Sequence, residues 1–236
     1  MLTLYQFPTS PFCEKVRRIL NYKKIDFRTI DVPRREVARF STISKTGKFP
    51  AIDLDGTTVF DSTDIAYFIE GRFPSPPLLS SKPHEAAMIH VLEDWADESL
   101  YFYELAVRLS WRHNFEKKAV FEFLPTMPWL DLKEAVETVP AMVHEAVTRQ
   151  GLGRKPVEMI VQDVHRHFQS LDGFLSAGEW LGGAEFSLAD IAVAVQVNAI
   201  LYAGEAEALV VQFPRITDWL LRVDALAPAS TGPLAV

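Results

Sequence analysis

The chain has 236 residues, 48% of them hydrophobic, and a formal net charge of −7. This length and composition allow a substantial core and are typical of two domains. The chain has no long basic run, which argues against a nucleic-acid-binding protein. Its single cysteine, Cys13, excludes an internal disulfide and is typical of a reducing compartment.

The sequence also argues against a secreted or membrane-bound protein. Its N-terminus lacks the basic start and apolar core of a signal peptide. The most apolar late segment, residues 188–203, contains Asp190, Gln196 and Asn198, and it is too short and too polar to span a membrane. We therefore expect a soluble, cytoplasmic protein that binds neither membranes nor nucleic acid.

The first predicted strand and the first predicted helix meet at Ser10. Residues 2–7 alternate in polarity and predict a short, half-buried strand. Ser10 followed by Pro11 is typical of an N-cap with proline in the first helical position. The Ser10 hydroxyl is thus delivered to a helix start, where free backbone N–H groups and the helix dipole favour an anion such as a thiolate. Simple capping of the helix by Ser10 is the alternative.

The next sixty residues predict the rest of a small α/β unit. Residues 27–31 predict a second strand, which runs parallel to the first because a helix crosses between them. Asp55-Gly56 lies between two apolar runs and predicts a hairpin of two antiparallel strands. A further helix is expected from Asp61 onward, and the Pro- and Ser-rich residues 73–83 are typical of a linker.

Beyond the linker the strand signals disappear, and only helices are expected. A long helix rich in aromatic residues is predicted over residues 85–114, and the prolines at 125, 128 and 140 then predict short or kinked helices. Further helices are predicted over residues 157–176, from 188 to about 201, and over 213–223. Ser187 and Asp190 lie at capping-box spacing, which is a folding device without assigned chemistry.

Four motifs, in order and with consistent spacing, carry a resemblance to a known family: Ser10-Pro11-Phe12, Lys48-Phe49-Pro50, Asp61-Ser62 and Phe186-Ser187-Leu188-Ala189-Asp190. Over essentially its whole length the chain resembles the cytosolic glutathione transferase superfamily, without assignment to a class. The resemblance implies an α/β plus all-α fold: a thioredoxin-like, glutathione-binding domain (1–73), a linker (74–83) and an all-helical C-terminal domain (84–236). It also implies a homodimer.

The resemblance implies how reduced glutathione, the co-substrate, is bound. A cis peptide bond at Phe49-Pro50 would expose the Phe49 backbone to the cysteinyl part of glutathione, beside Ser10 and Phe12. Asp61 and Ser62 would hold the γ-glutamyl end; a plain helix cap is the alternative for this pair. Lys48 or, by looser alignment, Arg35 would meet the glycyl carboxylate, and either side chain is otherwise a solvated surface charge.

The implied activity is that of a glutathione transferase involved in detoxification, with Ser10 as the catalytic residue and no metal. Ser10 would donate a hydrogen bond to the glutathione thiolate, which attacks an electrophilic small molecule or a peroxide. Two alternatives stay open: a glutathione-binding scaffold or partner-binding module without catalysis, and a thiol reductase that depends on Cys13. We expect Cys13 to be a buried helix residue.

The electrophile is expected between the two domains, against the long aromatic helix. Tyr101, Tyr103, Arg108 and Trp111 are the candidates for this site, with ordinary core or dimer packing as the alternative. Asp97 of the same helix would approach glutathione across a dimer interface.

Overall fold

The computed structural model describes residues 1–230, which form a small α/β unit followed by helices. The α/β unit contains one sheet in the order β2-β1-β3-β4. Strand β1 pairs with β2 in parallel and with β3 antiparallel, and β3 pairs antiparallel with β4. The strands are β1 Leu2–Gln6, β2 Phe27–Asp31, β3 Ala51–Leu54 and β4 Thr57–Phe60.

Helices α1 (Pro11–Tyr22) and α2 (Ser62–Arg72) complete this unit. Helix α1 makes the crossover between β1 and β2, as predicted. The hairpin turn is also confirmed: Asp55 and Gly56 have φ values of 52° and 89°, the positive angles that a two-residue turn needs. Apolar side chains of β1, α1, β3 and α2 form the core of the unit. The expected thioredoxin-like domain is confirmed.

The rest of the described chain is helical and carries most of the core. Residues 83–110 form one continuous run of α-helical and π-helical turns, which we name the helical column and which includes α3 and α4. Within residues 1–230 no helix is long and apolar enough to cross a membrane. The helices are α3 Pro83–Trp95, α4 Tyr101–Glu104, α5 Arg112–Asn114, α6 Val120–Phe123, α7 Leu132–Gln150, α8 Val157–Ala177, α9 Leu188–Ile200, α10 Gly204–Val210 and α11 Pro214–Leu226.

Three details of the helical part differ from the prediction. The aromatic helix ends at Ser110 rather than near residue 114, because Trp111 adopts an extended backbone with ψ of 106°. Ala96–Leu100 and Leu105–Ser110 widen into π-helical turns, a feature that is frequent at functional sites. Pro140 does not end a helix: it lies buried within the nineteen-residue α7.

The basic residues of α1 are buried, although the sequence places them between the apolar positions of an amphipathic helix. Lys15, Arg17 and Arg18 are 0%, 6% and 3% exposed. Arg18 forms an ion pair with Asp224 of α11. Arg17, Arg18 and Asn21 also donate to backbone carbonyls of residues 227–230, so the C-terminal part of the described chain lies along α1.

Candidate functional site

The turn between β1 and α1 presents Ser10 at the start of the helix. Ser10 is half-buried, and its N–H donates to the Phe7 carbonyl at 3.0 Å. Pro11 takes the first helical position, as predicted, but the Ser10 hydroxyl makes no capping hydrogen bond. The hydroxyl is near enough to the Cys13 sulfur to lower the pKa of that thiol, and it can turn to donate to a ligand at the helix start.

Cys13 lies one helical turn further on and is completely buried, as expected. Its sulfur accepts a hydrogen bond from the Phe7 N–H at 3.3 Å. Burial raises the pKa of the Cys13 thiol to about 11, although the Phe7 N–H, the Ser10 hydroxyl and nearby arginines oppose the rise. At pH 7 only about one thiol in ten thousand would be ionised at that pKa. Cys13 is thus poorly suited to act as a nucleophile.

The Phe49-Pro50 peptide bond is cis, as the resemblance implied. Phe49 precedes β3 and takes no part in the strand pairing. Within residues 1–230 neither its backbone N–H nor its carbonyl has a hydrogen-bond partner. The Phe49 ring packs edge-on against Phe7 at 5.3 Å between ring centroids, which places it next to the Ser10 turn. The free backbone N–H and carbonyl of Phe49 can therefore pair with an extended peptide.

Asp61 and Ser62 lie at the start of α2. Asp61 has a φ of 77°, a conformation that costs free energy for a residue other than glycine. Its exposed carboxylate accepts a hydrogen bond from the Thr63 N–H at 2.9 Å, so the helix cap is present. Ser62 is buried, and its hydroxyl donates to Asp97 at 3.4 Å.

Ser62 belongs to a buried group of charges that we name the Lys15 cluster: Lys15, Ser62, Thr63, Glu93 and Asp97. The Lys15 ammonium forms an ion pair with Glu93 and a second one with Asp97 at 2.7 Å. Burial alone would lower the pKa of Lys15, but the two carboxylates raise it overall. Asp97 contacts Ser62 of its own chain, and its Oδ1 atom is buried without a hydrogen-bond partner in the described residues.

The two candidate cations for the glycyl carboxylate are both exposed. The Lys48 side chain extends from the residue before Phe49. The Arg35 guanidinium stacks on the Trp129 ring at 4.3 Å. Arg34, which the sequence analysis did not select, turns instead toward the Ser10 turn and donates to the Thr9 hydroxyl at 3.3 Å. A signal was present in the sequence: Arg34 follows β2, whose end lies at the same edge as the end of the parallel β1.

A cavity of about 220 Å³ separates the Ser10 turn from the helical domain. Thr9 lines it on one side, and Arg108, Glu122, Asn198 and Tyr202 line it on the other. The buried Arg108 forms an ion pair with Glu122 at 3.0 Å and stacks on the Tyr202 ring at 4.4 Å. Pro8, Pro11, Val195 and Ala199 also line it, so the cavity wall combines charged and apolar groups.

Two of the four electrophile candidates lie near the Ser10 turn. Arg108 lines the cavity, and the Tyr101 ring contacts Phe12 with 4.7 Å between centroids. Burial raises the pKa of Tyr101 to about 12, so its hydroxyl remains protonated.

Tyr103 and Trp111 are placed differently. Tyr103 faces α8 and donates to Asp163 at 3.0 Å, because residues two apart on a helix point to opposite sides. Trp111 stacks on His113 where the helical column ends. The expectation that these two side chains line the same site as Tyr101 finds no support in these contacts.

Within the part of the chain that the structure describes, no group of three or more His, Cys, Asp or Glu side chains is arranged to hold a metal ion.

Comparisons with known proteins agree with this geometry. Residues 4–77 match the glutathione S-transferase N-terminal domain family, and residues 134–222 match the C-terminal domain family. The chain is 25% identical over 208 residues to FtsZ-localized protein A of Caulobacter vibrioides, covering 86% of this chain and 78% of that protein.

It is also 21% identical over 240 residues to the isoprene-epoxide–glutathione S-transferase of Rhodococcus sp. strain AD45, covering 94% of this chain and 98% of that protein. The fold is that of a glutathione S-transferase from Rhodospirillum rubrum F11, with a TM-score of 0.71 at 21% identity over 100% of this chain and 94% of that one. Since both domain families match in chain order and together cover well over half of the sequence, the chain belongs to the glutathione transferase superfamily.

Proposed function

We propose that this protein is a glutathione transferase in which the Ser10 hydroxyl donates a hydrogen bond to the thiolate of reduced glutathione. The thiolate then attacks an electrophilic small molecule or a peroxide. The observation that carries the proposal is the Ser10 hydroxyl, which lies at a helix start without capping it. The burial of Cys13 supports the choice of serine over cysteine.

The remaining binding residues follow from the chemistry of glutathione. The free backbone groups of Phe49 pair with the cysteinyl unit as an added strand, beside Phe12 and cis-Pro50. Asp61 meets the γ-glutamyl ammonium, and Ser62, at the start of α2, meets the adjacent carboxylate. For the glycyl carboxylate we prefer Lys48, since Arg35 already stacks on an aromatic ring.

The energy required of Ser10 is modest. Lowering the pKa of a thiol by two units from about 8.5 requires roughly 2.7 kcal/mol. A hydrogen bond to a charged group contributes about 1.5–3 kcal/mol, and a helix terminus typically adds about 0.3–1 kcal/mol. One hydroxyl and one helix start are therefore sufficient, and Ser10 itself stays protonated.

The test compares Ser10→Ala with Cys13→Ala, using glutathione and 1-chloro-2,4-dinitrobenzene. We expect Ser10→Ala to lower kcat/KM at pH 6.5 by about 10- to 100-fold and to move the pH profile upward, because the bound thiol is less acidic. Cys13→Ala should stay within about threefold of the parent. Loss of activity only in Cys13→Ala would contradict the serine assignment and favour the thiol reductase.

A partner-binding protein without catalysis is the second candidate. It is favoured by the similarity to a relative whose name places it with FtsZ. Calorimetry with millimolar reduced glutathione and a folded sample separates the candidates. Absence of heat would contradict the transferase, whereas glutathione binding without turnover of any electrophile would favour the second candidate.

The organisation of the molecule is part of the proposal. Residues 1–73 would form the glutathione-binding domain, joined by residues 74–83 to the helical domain at 84–236. We further propose that the protein works in the cytoplasm as a homodimer that takes part in detoxification. Analytical ultracentrifugation measures the oligomeric state directly, and a monomer at micromolar concentration would contradict this part.

A further inference from the structure

Arg34 is a sheltered cation that lacks a carboxylate partner among the described residues. It is half-buried, and within residues 1–230 it forms no ion pair. Its only hydrogen bond there goes to the Thr9 hydroxyl, and its Nε atom is buried without a partner. In the described part of the chain most other sheltered cations have more acceptors: carboxylates meet Lys15, Lys23, Arg18 and Arg108, and three oxygens meet Arg17. Arg222 is the exception, since it donates there only to the Glu179 carbonyl, but it stacks on Trp180 and not on the Ser10 turn.

The Arg34 side chain is held in a fixed position between the two domains. Its guanidinium lies 4.6 Å from the ring centroid of Phe7, which belongs to the Ser10 turn. It also lies 5.6 Å from the ring of Phe123, which belongs to α6 of the helical domain. Stacking of this kind orients the planar guanidinium and leaves its edge available for hydrogen bonds.

An unmatched cation in this position costs free energy until an anion arrives. Burial lowers the pKa of Arg34, because the charged guanidinium is partly removed from water. A carboxylate would supply the missing partner, because its two oxygens match the guanidinium fork.

The location relates Arg34 to the cavity beside Ser10. Thr9, which accepts its hydrogen bond, lines that cavity and directly precedes Ser10. Arg108 on the cavity wall is 5.5 Å from the same Phe123 ring, so one aromatic ring contacts both arginines. Glu14 and Glu122 also line the cavity and would repel an anionic group. Arg34 does not line the cavity itself but adjoins it through Thr9, and we expect the negative end of a bound molecule to turn toward it.

We infer that Arg34 binds a carboxylate of the electrophilic co-substrate, so that the protein prefers electrophiles that carry a carboxylate. This inference rests on the proposed function, since it assigns the second substrate of the same site. The aromatic rings around Arg34 favour a flat, conjugated molecule.

The experiment compares two electrophiles that differ by one carboxylate: 4-chloro-3,5-dinitrobenzoate and 1-chloro-2,6-dinitrobenzene. In both, the glutathione sulfur forms a bond to the ring carbon, and chloride leaves with the electron pair of the broken bond. We expect Arg34→Gln to lower kcat/KM for the benzoate by about 10- to 100-fold and to change that for the neutral compound by less than threefold.

Arg39→Gln is the matched control, because it makes the same charge change at an exposed arginine that pairs with Glu36. It should change neither rate by more than twofold. An equal loss with both electrophiles in Arg34→Gln, or a weaker affinity for glutathione in calorimetry, would overturn the inference. Either result would assign Arg34 to glutathione or to the fold.

A binding measurement separates this inference from the proposed function. Calorimetry with 3,5-dinitrobenzoate and 1,3-dinitrobenzene needs neither glutathione nor turnover. We expect the wild type to bind the benzoate at least tenfold more tightly than the neutral compound, and Arg34→Gln to lose that preference. This result would support the anion site even in a protein without transferase activity. Equal affinities in the wild type would overturn the inference, whether or not Arg34→Gln folds.

Discussion

At the Ser10 turn, a half-buried hydroxyl and a fully buried thiol lie three residues apart. The thiol of Cys13 is held against the end of β1 by the Phe7 N–H, and its pKa of about 11 keeps it protonated near neutral pH. Burial and protonation together protect it from reagents in solution.

We expect iodoacetamide at pH 8 to alkylate Cys13 at least 100-fold more slowly in the folded protein than in urea. Because the pKa is raised, the rate in the folded protein should still increase as the pH rises toward 11. Mass spectrometry of the tryptic peptide measures both rates. Equal rates in the folded and unfolded chain would show that Cys13 is accessible and would reopen the reductase alternative.

At this turn the sequence predicts the local backbone structure but not the contacts of the side chains. Ser10-Pro11 predicted a helix start, and the start is there. Whether the hydroxyl caps the helix depends on the backbone and side-chain angles of Ser10, which the local pattern does not determine. The position of Arg34 after β2 was a signal, but the contacts that turn it toward Ser10, with Thr9 and Phe123, lie 25 and 89 positions away and are not visible in the local pattern.

At the scale of elements, α9 is fixed at its start by Asp190. One carboxylate oxygen accepts from the N–H and the hydroxyl of Ser187, each at 3.0 Å. The other accepts from the Leu181 N–H and from the indole of Trp219 in α11, each at 2.9 Å. Asp190 thus joins the N-terminus of α9, the preceding loop and the last helix.

We expect Asp190→Ala to lower the free energy of unfolding by about 3–5 kcal/mol, because it leaves several buried donors without an acceptor. Asp131→Ala is the matched control, since Asp131 forms the exposed capping box of α7 and should cost only about 1 kcal/mol. Urea denaturation measures both. A cost for Asp190→Ala no larger than that of the control would contradict the role of the buried network.

The capping box at Ser187 and Asp190 was predicted from spacing, since it is a local device. The hydrogen bond from Trp219 was not predictable in the same way, because it joins residues 29 positions apart. The prediction that the prolines of the middle region shorten or kink its helices is partly wrong, because tolerance of a proline depends on tertiary packing. Pro140 is tolerated within α7, and only the packed helix shows this.

At the scale of the whole molecule, the Lys15 cluster joins the two domains. Lys15 is on α1, Ser62 and Thr63 begin α2, and Glu93 and Asp97 belong to the long helical column. Removing one charge from a buried group of this kind leaves its partners uncompensated and lowers the stability of the fold. The sequence predicted both domains from the order of elements, but the residues that join them carry no signal of their own.

We expect Lys15→Met to lower the free energy of unfolding by about 3–5 kcal/mol, because two buried carboxylates lose their counter-ion. Adding Glu93→Gln should recover part of the loss, so that the two changes are not additive. Lys117→Met, at an exposed position, is the control and should have little effect. Strictly additive effects in urea denaturation would contradict a cooperative cluster.

The same cluster predicts a pH dependence. The pKa of Lys15 is raised in the folded protein, so its contribution to stability is fully present below the unfolded value of about 10.4. That contribution is lost as the pH rises through the higher, folded value. The stability difference between the parent and Lys15→Met should therefore be constant from pH 7 to 9 and shrink only in strong alkali.

The contacts between α1 and residues 224–230 also bear on how the chain folds during synthesis. Arg17 and Arg18 are buried by partners that leave the ribosome more than two hundred residues later. Until then, α1 would carry two guanidinium groups that must stay hydrated. The N-terminal domain can therefore form its sheet early but can complete its packing only after translation has reached the last helix.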